Sequence, residues 1–163
     1  MVAGNWKLSG AVEDCTVRSW DAAAGDDPDL GYGELLVIVE LSLHLAEDGL
    51  GPTGPHHSWA AVSALVEQLK TIQGGSEYWT NLEERVFTRS WLPDDDACPS
   101  MPYLSVVLEL PEGNFLFNEG SIVRDVFRIN VIGWVPENTE SHAETSAVEA
   151  ALKLKDDIVK ALM

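Results

Sequence analysis

Basic residues are scarce in this chain: ten Lys and Arg face 27 Asp and Glu, for a formal net charge of −17. That excludes a conventional nucleic-acid surface, which needs a basic patch to neutralise phosphates. It also excludes attraction to an anionic membrane. The acidity fits solubility, a wall that keeps polyanions from sticking, or a match to a basic partner. Cysteine is scarce too: Cys15 and Cys98 are too few for a disulfide framework and lack close metal-ligand spacing, so they read as free thiols of a reducing compartment. Long apolar runs are missing. The most apolar window, LLVIV before Glu40, is far too short to span a bilayer. The opening MVAGNWKLSGAVEDC has no basic-then-apolar signal pattern, and the expectation is a soluble protein made in the cytosol.

Catalytic signatures are absent as well. GGSEYW has two glycines but neither the spacing nor the lysine of a phosphate-binding loop. Ser42, Ser58 and Ser63 sit in no nucleophile-elbow sequence. Asp94, Asp95 and Asp96 are hard oxygen ligands, but neighbours in an extended loop point different ways, and the spaced acids and internal glycine of a calcium loop are missing. The plainer reading is a solvated acidic loop. His56 and His57, with Cys98, are zinc-ligand types without a paired motif; the plainer reading is a linker before a helix. Cys98, between Ala97 and Pro99, lacks a nucleophile's signature. The chain is therefore expected to be non-enzymatic and without a cofactor. A small metal-dependent hydrolase using the Asp94–Asp96 loop and the histidine pair is the alternative of a different class.

What is present is hydrophobic patterning, with 45% apolar residues over 163 positions, enough for one cored domain. The seam GLGPTGPHH divides an N-terminal extension, residues 1–57, from a domain at 58–163. Ten acids and two bases precede the seam, and 17 acids and eight bases follow it, so the acidity is no detachable tail. In the extension, LLVIVELSLHL alternates with period two, which favours a half-buried strand over the competing helix. Short strands are expected around NWKLSG and CTVRSW, and a loop at DAAAGDDPD, Asp21 to Asp29.

In the domain, Ser58 is the expected N-cap of a helix whose apolar face is Val62, Leu65, Val66, Leu69 and Ile72, stopped by Gly74 and Gly75. RVFTRSW, Arg85 to Trp91, reads as a strand. YLSVVLEL, Tyr103 to Leu110, reads as a central strand buried on both faces. PEGNFLFNEG reads as a turn-rich hairpin tip. Ile122 to Val135 makes one long strand, on the order of 45 Å at about 3.3 Å per residue. Its core face carries Val123, Phe127, Ile129, Val131 and Val135. Glu144 to Met163 is a helix with Ala147, Ala151, Leu154, Ile158 and Leu162 on one side. The expected fold class is α+β: a mainly antiparallel sheet with two helices packed on one face, plus the N-terminal extension.

Arg124 and Arg128 share a strand face and are suited to pairing with acids of their own chain or of a neighbouring subunit. Trp59, Trp79, Trp91 and Trp134 lie near element ends, where tryptophans serve as core lids or interface residues. The subunit-interface candidates are Arg124, Phe127, Arg128, Trp91 and Trp134.

The succession SWAAVSALVEQLKTIQGGSEYWTNLEERVFTRSW, PSMPYLSVVLELPEG, SIVRDVFRINVIGWV and ETSAVEAALKLKDDIVKALM resembles the tail terminator, or tail completion, proteins of tailed bacteriophages. The shared features are a first helix closed by Gly74 and Gly75 with Tyr78 and Trp79, the strand start Arg85–Val86–Phe87, a proline-led strand from Pro102 to Leu110, a long arginine-bearing strand, and a final helix with Asp156–Asp157–Ile158. The likeness covers residues 58–163. It implies a hexameric ring of this chain that caps the tail tube, stops its growth and joins it to a head-side connector or stopper. It implies a virion location at the neck, assembly in the host cytoplasm, no catalytic residues and no membrane. The long strand of one subunit would pair with the next. Acids lining the bore, with Asp94, Asp95, Asp96 and Glu112 as candidates, would let genomic DNA pass without binding. A head-completion stopper and a tail tube subunit are the neighbouring readings.

Overall fold

The computed structural model describes residues 2–3, 12–25, 31–46, 57–93, 95–108, 115–119, 122–137 and 146–163. Among these, seven strands form one sheet: β1 Val2–Ala3, β2 Val12–Ala24, β3 Tyr32–Ala46, β4 Val86–Phe87, β5 Tyr103–Leu108, β6 Phe115–Glu119 and β7 Ile122–Pro136. Helices α1 His57–Leu69 and α2 Ser146–Leu162 complete the fold. The sheet order is β1-β2-β3-β7-β5-β4, with β6 also on β7. Every pairing is antiparallel except β4 with β5. The chain is an α+β protein with a mixed, mostly antiparallel sheet.

The period-two pattern of LLVIVELSLHL decides the helix-or-strand question for strand. Leu35, Val37, Val39 and Leu41 are buried, while Leu36, Ile38 and Glu40 between them are half-buried. The same face of β7 carries buried Ile129, Val131 and Val135. Against this face lie Val62, Leu65, Val66 and Leu69 of α1, Ile72 just beyond it, and Ala151, Leu154, Ile158 and Leu162 of α2. Burying such side chains stabilises by about 1.5–3 kcal/mol each, so this single layer dominates the folding energy. Two glycines let α2 come close. A Cβ at Gly33 would overlap the Ala147 carbonyl oxygen, and one at Gly133 would sit 2.5 Å from a Leu154 methyl group of α2.

Several local expectations are corrected. Asp21 to Ala24, expected in a loop, extends β2, because β3 offers each of these residues a ladder partner. CTVRSW lies inside this 13-residue strand, and NWKLSG lies outside the described residues. Helix α1 already includes His57, so Ser58 is within it and does not flank it. Only Val86 and Phe87 of RVFTRSW are strand, with Glu83 and Glu84 just before them in the left-handed region at φ 47° and 67°. Strand β5 is buried through Val106, but Leu108 is exposed. The expected hairpin tip contains β6, because Phe115–Glu119 finds free ladder positions on β7 beyond the end of β5.

The largest correction concerns the long strand. It was expected to leave its sheet for a neighbour. Instead β7 is paired along its whole length with β3, from Tyr32–Pro136 to Ala46–Ile122, and on its other side with β5 and then β6. With strands on both sides, β7 is the middle of the sheet. The residues assigned to an extension supply that partner.

Among the described residues one open edge lies on β2. β1 covers only Cys15 and Thr16. The outer side of β2 beyond them has no strand against it in that set.

Candidate functional site

The sequence candidates separate into three groups. Trp134 is corrected as an interface residue: it is buried and stacks on Tyr103, with ring centroids 4.9 Å apart and planes at 26°. It belongs to a second small core on the sheet face away from the helices, with Tyr32, Phe87, Trp91, Cys98, Met101 and Ile132. Trp91, Cys98 and Met101, from the segment between β4 and β5, pack over that end of the sheet. Trp91 is half-buried there, with the Arg89 guanidinium 4.2 Å from its ring centroid. The Cys98 thiol donates to the Tyr103 hydroxyl at 3.1 Å. Burial first, and then that thiol, push the Tyr103 hydroxyl well above the ordinary tyrosine range, so it stays protonated.

The second group is the acidic loop. Asp95 accepts a hydrogen bond from the Leu92 N–H at 2.9 Å, and its own carbonyl accepts the Cys98 N–H at 2.9 Å. Its role there is to shape a turn. Asp96 is exposed. Asp94, Glu112 and His56 lie outside the described residues. Among the described residues, no three His, Cys, Asp or Glu side chains come together as a metal site.

The third group is on the open face. Glu40 of β3 pairs directly with Arg128 of β7 in the ladder register. The Arg128 Nε donates to Glu40 at 3.4 Å, and Arg18 of β2 donates to the other carboxylate oxygen. Thus Arg128 has an intramolecular acid. Arg124 and Phe127 are placed by register only, opposite His44 and Leu41. The Arg18–Glu40–Arg128 group spans three strands that are adjacent in space and far apart in sequence. Only the register brings it together, so sequence spacing gave no sign of Arg18 or Glu40.

The Arg18 hydrogen bond is the main cause holding the Glu40 carboxyl below the usual range. Partial burial opposes it, and the charges of Arg18 and Arg128 add to the lowering. A carboxyl lowered in the folded state contributes stability above its unfolded pKa of about 4.3 and loses it as pH falls through the folded value. Glu40→Gln is therefore expected to cost about 1 kcal/mol at pH 7, less at high salt because Arg18 is half-exposed. The gap between the two proteins should narrow in urea titrations as pH falls through the folded value.

The described surface also carries an open groove of about 470 Å³ between the 79–85 loop and the start of α2. Trp79, Arg85, Met101, Val135, Glu149 and Lys153 are among its walls. Its charges are matched internally: Arg85 pairs with Glu83 at 2.6 Å, and Lys153 with Glu149 at 2.7 Å. The Arg85 Nε also donates to the Pro102 carbonyl. Asp157, buried within α2, holds the loop in place by accepting the Trp79 N–H at 3.0 Å and the Thr80 N–H at 2.7 Å. This explains the internal order of Asp156–Asp157–Ile158: the first acid is exposed, and the second binds the loop.

No helix among the described residues is long and apolar enough to cross a membrane. Compared with protein-family models, curated proteins and solved structures, the chain matches none.

Proposed function

We propose that this chain is a non-enzymatic structural protein of a tailed bacteriophage virion, assembling head to tail as a ring that caps the tail tube and meets the head-side connector. The observation that carries the reading is the mismatch between strand and helix length. β3 and β7 each run 15 residues, about 50 Å, while α2 has 17 residues and spans about 25 Å. Five ladder pairs, from Ser42–Val126 to Ala46–Ile122, form the far end of the β3–β7 ladder, with β6 alongside β7. An elongated sheet arm of this kind is suited to overlapping an adjacent subunit in a ring.

Charge supports the same reading. At −17, the chain repels a passing polyanion. The family likeness named above supplies the specific place in the virion, the hexameric count and the tube and connector partners.

Negative-stain imaging of the purified chain, alone and with tail tubes, is the test. Closed rings of uniform diameter, seated on tube ends and halting their growth, are expected. Long fibres would assign the chain to the tube itself. The absence of rings and of tube-end binding at all concentrations would overturn the proposal. Stoichiometric zinc or manganese in the pure protein would favour the hydrolase.

A further inference from the structure

We propose that the outer edge of β2, residues 19–24, pairs antiparallel with the same edge of a second copy, across a two-fold axis at Ala22. The argument begins with backbone direction. The Gly25 N–H donates to the Tyr32 carbonyl at 2.8 Å, so Gly25 faces β3. From Ser19 onward the β2–β3 register is unbroken: Ser19 opposes Ile38 and Ala24 opposes Gly33. In an antiparallel ladder, bonded and non-bonded residues alternate. Residues 19, 21 and 23 therefore turn their N–H and C=O groups to β3, and Trp20, Ala22 and Ala24 turn theirs outward.

Among the described residues this row is an open edge. Natural edges are blunted by charged side chains, lysine above all, by proline or by a bulge. Residues 19–24, SWDAAA, carry a single charge, Asp21, and neither lysine nor proline, and the bulges of β2 lie before Ser19. No described strand covers them.

The row is also self-complementary in one register. Outward residues must meet outward residues. An axis at Ala22 pairs Trp20 with Ala24 of the second copy, Ala22 with Ala22, and Ala24 with Trp20, giving about six main-chain hydrogen bonds. Each Asp21 then lies opposite an Ala23. An axis at Asp21 would set the two carboxylates directly against each other, which is unfavourable. The Ala22 axis also lays each half-exposed Trp20 beside a small Ala24. Trp20 lies on the α2 side of the sheet, where Lys155 approaches its ring to 5.0 Å, so the pairing extends the covered layer across the axis.

The contact closes on itself and is distinct from the head-to-tail contact of a ring. It does not rest on the ring proposal. Because both copies carry −17, the dimer should tighten as salt screens their repulsion.

Sedimentation velocity across salt concentrations tests it, with Ala22→Pro as the decisive variant. Proline there removes an outward N–H and leaves the β2–β3 ladder intact. A dimer in the parent chain and a monomer in folded A22P are expected. An A22P dimer as tight as the parent's, or a parent monomeric at high salt and high concentration, overturns the proposal. Should A22P fail to fold, oxidative cross-linking decides. A22C should form a disulfide dimer, because facing residues lie within disulfide reach, whereas A24C should not, its two copies being about 13 Å apart. No A22C cross-link, or equal cross-linking of both variants, counts against the two-fold.

Discussion

Replacing Asp157 with alanine is expected to lower stability by about 3 kcal/mol and to loosen the loop that bears Trp79. The carboxylate lies in the buried row of α2, one residue before Ile158, and spends its two oxygens on the N–H groups of Trp79 and Thr80. Hydrogen bonds to a charged acceptor contribute about 1.5–3 kcal/mol each, and the cost is greatest where the donor is left buried without a partner. Thr80 is such a donor, because its residue is 9% exposed. Asp157→Asn is the informative companion. It keeps the shape but turns one acceptor into a donor facing an N–H, so it should recover only part of the loss. Asp156→Ala, next in sequence but exposed, should change stability little. For a chain of this size, about 3 kcal/mol corresponds to a fall in melting temperature of about 10 °C, readable by calorimetry. A D157A protein as stable as the parent would mean that the loop is held by other contacts, chiefly Leu82, whose N–H donates to the Ile72 carbonyl at 3.0 Å.

The same residue shows what the sequence discloses. That α2 is a helix, and which side of it is apolar, follows from the spacing of Ala147, Ala151, Leu154, Ile158 and Leu162, all of which are buried. Local periodicity is a property of neighbours, and it is legible. That Asp157 reaches back 77 residues to Thr80 is not, because no short-range rule links them. The strands divide in the same way. The alternation in β3 revealed its two faces. It gave no partner, and so the long strand looked like a free arm. The chain supplies the missing neighbour from the segment that looked detachable, because β3 and β7 are both 15 residues long and match register for their full length. The Arg18–Glu40–Arg128 group was lost for the same reason. Arg128 was visible as a charge on a strand, but its acid lies 88 residues away and across a ladder.

Gly33→Val is expected to destabilise the fold by at least about 3 kcal/mol, although two ordinary effects favour valine in a strand. Valine suits a pleated, half-buried position by up to about 1 kcal/mol over poorer residues, and replacing glycine lowers the entropy of the unfolded chain by about 0.4–1 kcal/mol. The backbone raises no objection, since Gly33 is not among the residues with positive φ. Space decides the sign. The first side-chain carbon alone would overlap the Ala147 carbonyl oxygen and stand 3.3 Å from the Ala151 methyl. Neither is the far end of a flexible side chain, so relief requires α2 to lift from β3. Overpacking of a tight core costs about 1–3 kcal/mol where side chains can adjust, and more where a helix must move. That movement would separate Ala151 and Leu154 from Leu35 and Val37, weakening the layer that joins the N-terminal strands to the final helix. Gly33→Ala should already show most of the loss, because its Cβ meets the same oxygen. Urea unfolding of both variants separates the outcomes. A stabilised G33V would place β propensity above packing and show that α2 does not sit against β3 as closely as described.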